Sequence, residues 1–244
     1  MTKDSKESWR LNEKLFRQRI EDLAGTVNTK NYIDNPMLFL DRQRFTGYLS
    51  RIKIFEQILN VKGSIVECGV YKGGSLMLYY HLASIMEPYG FNRKIYGFDT
   101  FEGFRSISKE DGGTPSEEMF SDAGVDVLKK AIEINDLNRA IPHVPKCELI
   151  KGDATKTIPE FKMNHPELLI ALLYLDFDIY EPTKVALENF LSLVPKGGIV
   201  AFDELNCKSW AGETKALKEV LEVNKINLKQ FSFDPYVSYF VVGS

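Results

Sequence analysis

The sequence is short of cysteine, of histidine and of long apolar runs. Its three cysteines, Cys68, Cys147 and Cys207, lie far apart and never fall in a CxxC spacing. That excludes a zinc ribbon and a disulfide framework, and reduced thiols in a cytoplasm are expected. The three histidines carry no pattern: His81 falls inside a helical stretch, and His143 and His165 stand beside prolines. The longest apolar run, Leu168 to Leu175, has 8 residues, far short of a membrane span. The opening MTKDSKESWR is polar and lacks the apolar centre of a signal peptide, so a cytoplasmic protein is expected. A dominant charge is missing too. Lys and Arg total 31 against 34 Asp and Glu, a formal charge of −3, which argues against a nucleic-acid binder that relies on a broad basic field.

What is present is a chain of 244 residues, 44% apolar and 27% charged, enough to bury a core without staples. Residues 1–60 read as a helical arm. Trp9, Leu11, Leu15, Phe16, Ile20 and Leu23 recur at three- and four-residue steps and form one apolar stripe. Such a stripe must be buried against the main domain or a partner subunit, which favours a homo-oligomer. A second helix is expected over 41–60.

From residue 61 to 244 the pattern becomes that of one α/β domain. SIVECGV, KIYGFDT, CELIKGD, LIALLYLDFD and GGIVAFDE read as strands apolar on both faces. They alternate with helical stretches over 74–87, 121–138, 155–164, 182–194 and 213–224. This alternation predicts a doubly wound, mostly parallel sheet covered by helices on both sides. LKQFSF and SYFVVG, around Asp234-Pro235, close the chain as an antiparallel hairpin. Residues 102–120 form one long irregular stretch, expected to be a lid.

In such a sheet, ligands bind beyond the carboxyl ends of the strands. Carboxylates stand there on all five predicted strands: Glu67, Asp99, Asp153, the pair Asp176 and Asp178, and the pair Asp203 and Glu204. The first turn, E-C-G-V-Y-K-G-G-S, places Gly69, Gly73 and Gly74 where backbone must turn tightly or approach a ligand. Its spacing is not G-x-G-x-x-G, which disfavours a nicotinamide dehydrogenase. Glu67 before the turn repels phosphate and attracts an ammonium or sulfonium, while Asp99 suits ribose hydroxyls. Together they describe S-adenosylmethionine. Alternation along a strand puts Asp176 and Asp178 on one face. Asp176, Asp203 and Glu204 then form a candidate oxygen set for Mg²⁺, with Asp178 assigned to capping the helix that follows. Tyr180, Glu181, Trp210 and Glu213, on the loops beyond, are candidate acceptor contacts.

VECGVYKGGS, YGFDTFEGF, IKGDATKTIP, LDFDIYEPT and GGIVAFDELNCKSWAGE, in this order over about residues 65–215, resemble the macrocin O-methyltransferase family. These are metal-dependent sugar O-methyltransferases of antibiotic biosynthesis. The resemblance implies a class I S-adenosylmethionine-dependent methyltransferase fold with a seventh strand inserted antiparallel. It implies that the loop Glu67, Gly69, Val70, Tyr71, Gly73, Gly74 and Ser75 holds the methionine part of the cofactor. Asp99, with Thr100 and Phe101, would hold the ribose, and Asp153 and Ala154 would lie near the adenine. Asp176, Asp203 and Glu204 would hold Mg²⁺, with Asp176 also the catalytic base. Many relatives carry Asp or Asn where this chain has Glu204. The expected reaction is methylation of a hydroxyl on a nucleotide-linked or glycoside-attached deoxysugar. Alternatives are a phenolic or other vicinal-diol acceptor, and a non-catalytic binding protein on the same fold.

Overall fold

The computed structural model describes residues 3–244 apart from 106 and 114, and for residues 3–10 the backbone alone. In chain order it contains α1 (Lys3–Thr26), α2 (Thr29–Asp34), α3 (Arg42–Ile58), β1 (Ser64–Cys68), α4 (Gly74–Met86), β2 (Ile95–Asp99), α5 (Val125–Asp136) and β3 (Cys147–Lys151). It continues with α6 (Ala154–Asn164), β4 (Ile170–Leu175), α7 (Tyr180–Phe190), β5 (Ile199–Phe202), α8 (Gly212–Val220), β6 (Lys229–Phe231) and β7 (Asp234–Val241). The chain divides into two compact units, Met1–Thr46 and Gly47–Ser244. In the smaller unit, Leu11, Leu15, Phe16 and Leu23 are exposed on α1.

The larger unit is built on a seven-stranded sheet of order β3-β2-β1-β4-β5-β7-β6. The first five strands pair in parallel, and β7 runs antiparallel between β5 and β6. Every residue of β1, β4 and β5 is buried, because helices cover both faces. On one face Val66, Cys68, Leu173 and Leu175 pack with Ile158 and Phe161 of α6, Leu187 and Phe190 of α7, and Leu217 of α8. On the other, Ile65, Leu172 and Tyr174 pack with Phe55 and Ile58 of α3, Leu76 and Tyr79 of α4, and Leu128 of α5.

The expected elements are present, with shifted ends. The expected helix over 121–138 starts at Val125 because Gly124 is left-handed, with φ +66°. The helix expected from Pro182 begins at Tyr180; proline fits the first turn, where an amide hydrogen has no helical acceptor. Asp234 opens β7 rather than lying in the turn, and its carboxylate accepts from the amides of Tyr236 and Val237. Among the described residues no helix is long and apolar enough to cross a membrane.

Candidate active site

The strand order reverses between β1 and β4, and there the two chains leave the sheet side by side. Cys68 pairs with Leu175, and the amide of Asp176 donates to the Cys68 carbonyl at 2.7 Å. Gly69, at φ +96°, is packed so closely that an added Cβ would lie 1.8 Å from the Asp176 carbonyl oxygen. Its glycine is therefore required by the neighbouring chain. Gly73 is also enclosed by protein: a Cβ there would meet the Leu128 side chain at 2.4 Å. The backbone beyond the strands is strained in the same region. Tyr71, Phe101, Phe120, Asp178 and Asn206 all have φ between 50° and 63° without being glycine. Such residues cost about 1–3 kcal/mol each and concentrate at functional sites. Four follow β1, β2, β4 and β5 directly, and Phe120 lies in the long loop after β2.

Glu67 lies fully buried at the end of β1, with Ser75 donating to its Oε1 and no partner for Oε2. Burial pushes its carboxyl up to about 7, against the opposing effects of Ser75 and the nearby Arg51. A closed-off carboxylate oxygen with no donor suits a cationic ligand group. Asp99 accepts from the amides of Val70 and Tyr71 through Oδ2, both at 2.8 Å, and from Phe101 through Oδ1 at 2.6 Å. It fastens the first loop to β2, and a carboxylate has about four acceptor positions, so capacity remains for a hydroxyl. Thr100 is turned back on its own loop, donating to Gly103 and accepting from the Glu102 amide. Asp153 caps α6 by accepting from the Thr155 amide and hydroxyl, beside the buried Ala154.

The acids beyond β4 and β5 gather around one arginine. Nη2 of Arg51, from α3, lies 3.0 Å from Asp176 Oδ2 and 3.0 Å from Asp203 Oδ1. Its guanidinium carbon stands 4.5 Å from the centre of the Tyr174 ring, and the Tyr174 hydroxyl donates to Asp203 Oδ1 at 2.7 Å. Burial and the charge of Asp203 hold Asp176 well above the ordinary carboxylate range, although Arg51 opposes them. Burial and Glu204 raise Asp178 in the same way. Glu204 is pushed up to about 7 by burial and Asp203, and its Oε2 is closed off without a partner.

These oxygens have the chemistry of a hard-cation site, and the orphaned Glu204 oxygen and mutual repulsion both call for more positive charge. Yet among the described residues no three His, Cys, Asp or Glu side chains stand together as a metal-holding group. Asp176 and Asp203 are brought together, with Arg51 between them. The shared-face argument for Asp176 and Asp178 fails, because β4 ends at Leu175 and Asp178 is left-handed. Asp178 does not cap α7 either. The Tyr180 amide donates instead to Asp111 Oδ1 at 2.6 Å.

Asp111 is fully buried in the 102–120 segment and also accepts from the Ser108 amide at 2.7 Å. The expected lid is thus pinned at its middle to the start of α7. Around it, Phe104 lies near Phe120 and Trp210, and Phe120 meets Tyr71 edge-on, with ring centres 5.1–6.2 Å apart. This aromatic string runs from the first loop to the loop after β5. Glu213 is fully buried and accepts from the amides of Asp178 and Glu204, at 3.3 and 3.2 Å, stapling the two acidic loops. The Tyr180 hydroxyl donates to Glu219 of α8 at 2.7 Å and accepts from Lys184, so it ties two helices. Glu181 lies in the first turn of α7, partly exposed.

Arg51 and Asp111 escaped the sequence reading. Arg51 had a signal: it stands three residues after Tyr48 and four before Phe55, a charge set into the apolar stripe of a helix. Asp111 had only a local one, the Ser-x-x-Asp spacing of a capping box with Ser108; nothing local signals its second partner, 69 residues away.

Comparison with known proteins agrees with this fold. A 34% identical crystal structure, CalS11, calicheamicin methyltransferase, superposes with a TM-score of 0.91, covering 96% of this chain and 93% of that one. The apo structure of CalS11, described as a TDP-rhamnose 3'-O-methyltransferase of calicheamicin biosynthesis, gives 0.84 at 33% identity, covering 96% and 95%. A Streptomyces olivaceus protein, 8-demethyl-8-(2,3-dimethoxy-alpha-L-rhamnosyl)-tetracenomycin-C 4'-O-methyltransferase, is 26% identical over 146 residues, 59% of this chain. The chain spans about half of that curated relative's length, 53%. The family model Macrocin-O-methyltransferase (TylF) matches residues 43–241, nearly the whole of the larger unit. The chain belongs to the macrocin O-methyltransferase family.

Proposed function

We propose that this chain is an S-adenosylmethionine-dependent O-methyltransferase that methylates a hydroxyl of a deoxysugar, nucleotide-linked or glycoside-attached, with help from Mg²⁺. The observation that carries the reading is the contact between the two loops at the switch point. The loop that begins with Glu67 and the residue Asp176 share backbone contacts, so a cationic alkyl donor and a proton acceptor have neighbouring seats. The likeness to a TDP-rhamnose methyltransferase supports a sugar acceptor.

In this reading the buried Glu67 holds the cationic amino-acid end of the donor, and Asp99 holds its ribose beside Thr100 and Phe101. Asp153 and Ala154 border the adenine. Asp176, Asp203 and Glu204 would hold Mg²⁺, which supplies a Lewis acid that lowers the pKa of a sugar hydroxyl. Asp176, just beyond the end of β4 beside the donor loop, accepts that hydroxyl's proton. The bound donor would supply a sulfonium methyl group to the sugar oxygen, its carbon–sulfur bond breaking to leave S-adenosylhomocysteine. Trp210 and the aromatic string wall the acceptor side, with Glu181 at its edge. Glu213 and Tyr180 act behind them by holding the loops. The exposed stripe of α1 supports a homo-oligomer, and the three scattered cysteines of the sequence fit a cytoplasmic setting.

The test is a methyl-transfer screen of nucleotide-activated deoxysugars against phenols, with Mg²⁺ or excess chelator, on the wild type and Asp176→Asn. Sugar methylation should need the metal and fall about 10²–10⁴-fold in the variant, while cofactor affinity changes less than about twofold. Products from phenols alone would overturn the acceptor class. Full turnover in chelator would overturn the metal role.

A further inference from the structure

We infer that Arg51 is the built-in counter-cation of the acidic site, and that a divalent ion binds there by displacing it. The inference rests on the metal reading above. A single nitrogen, Nη2, sits 3.0 Å from one oxygen of Asp176 and 3.0 Å from one oxygen of Asp203. That is the bridging position of a point charge, not the parallel fork by which arginine grips one carboxylate.

Arg93 offers a comparison within the same chain. It is as buried as Arg51, at 7% against 8% exposed. Arg93 donates to Glu87 and to the carbonyls of Ile58, Leu59, Val61 and Gly63, as a permanent structural arginine does. Arg51 instead leaves Nε without a partner, and its Nη1 reaches only the Gly47 carbonyl, at 3.3 Å. Beyond these contacts it rests on the face of Tyr174, an attraction that tolerates sliding. Arg51 is therefore held by the acids' charge more than by a fitted cage.

Among the described residues no other Lys or Arg forms an ion pair with Asp176 or Asp203. Two cations cannot share this gap, because like charges a few ångströms apart repel strongly in a partly buried site. The missing three-carboxylate group and the orphaned Glu204 oxygen follow from the same cause. The acids are spaced around a guanidinium, and Glu204 is the ligand that the guanidinium does not use. In the metal-free protein Arg51 keeps Asp176 and Asp203 from repelling one another, and a metal must outcompete it.

The experiment measures Mn²⁺ binding by calorimetry and by electron paramagnetic resonance on the full chain, comparing wild type, Arg51→Gln, Arg51→Lys and Asp203→Asn. Arg51→Gln should bind Mn²⁺ at least about tenfold more tightly than wild type, because the competing charge is gone. Arg51→Lys, which keeps the charge, should lie between them, and Asp203→Asn should bind far less. Equal or weaker binding by Arg51→Gln would overturn the inference. If only Arg51→Gln binds, the ion does not displace Arg51 in the wild type, and both the displacement and the native metal role fail. If neither binds, both fail. Should Arg51→Gln not fold, the wild type decides the matter. With ¹⁵N-labelled arginine, the restricted guanidinium signal of Arg51 should gain rotational freedom as Mg²⁺ is added, and an unchanged signal at saturation would overturn the inference.

Discussion

Replacing Glu67 by Gln should make the ligand-free protein more stable and a poorer binder of its cofactor. Burial raises this carboxyl from an ordinary 4.5 to about 7. A shift of about 2.5 pH units at about 1.36 kcal/mol each corresponds to roughly 3 kcal/mol for holding the charged form in the fold. The sign follows from proton linkage. Between pH 4.5 and 7 the folded protein keeps a proton on Glu67 that the unfolded chain has released, so stability declines as pH rises and levels off above 7. Gln retains an oxygen for the Ser75 hydroxyl and imitates the neutral acid. At pH 8 the variant should therefore gain up to about 3 kcal/mol, or roughly 6–12 °C in melting temperature for a unit of this size. At pH 4.5 the gain should nearly vanish. Thermal unfolding across that pH range measures the first effect, and calorimetric titration with S-adenosylmethionine measures the second, expected as a loss of at least about tenfold. Equal melting temperatures at pH 8 would refute the burial argument. Unchanged cofactor affinity would refute the assignment of the orphaned oxygen to a cationic ligand.

Asp111→Ala should lower stability by about 2–3 kcal/mol, because the amides of Tyr180 and Ser108 lose a fully buried acceptor. Limited proteolysis should then cut within 102–120 sooner than in the wild type, and unchanged cutting would argue against the pin. Gly69→Ala should cost more than about 4 kcal/mol or prevent folding, since the new methyl would meet the Asp176 carbonyl at 1.8 Å in a left-handed conformation. A soluble variant with wild-type melting would contradict the packing.

The sheet was legible because its strands are apolar on both faces and punctuated by glycine and acids, a pattern that depends only on near neighbours. SIVEC and IALLYL read directly as strands apolar on both faces, and both are wholly buried. The acids at the strand ends were legible for the same reason. Their division of labour was not. Glu213 reads as a loop acid, but folding encloses it beneath two backbone amides. Asp178 reads as a helix cap, but its left-handed backbone leaves that role to Asp111, from another loop. The glycines of the first loop read as tight turns that approach a ligand; the turns are present, with φ +96° at Gly69 and +84° at Gly73, but their close neighbours are Asp176 and Leu128. Each difference arises from contacts across the sheet, which local spacing does not encode.

The bond between the Cys68 carbonyl and the Asp176 amide, with Gly69 wedged against the same residue, joins the loop after β1 and the loop after β4 into one stiff crest. Neither half can drift without carrying the other. Substitutions around Phe104, Phe120 and Trp210 can therefore reshape the rim of the cleft while the spacing between the two joined loops is kept.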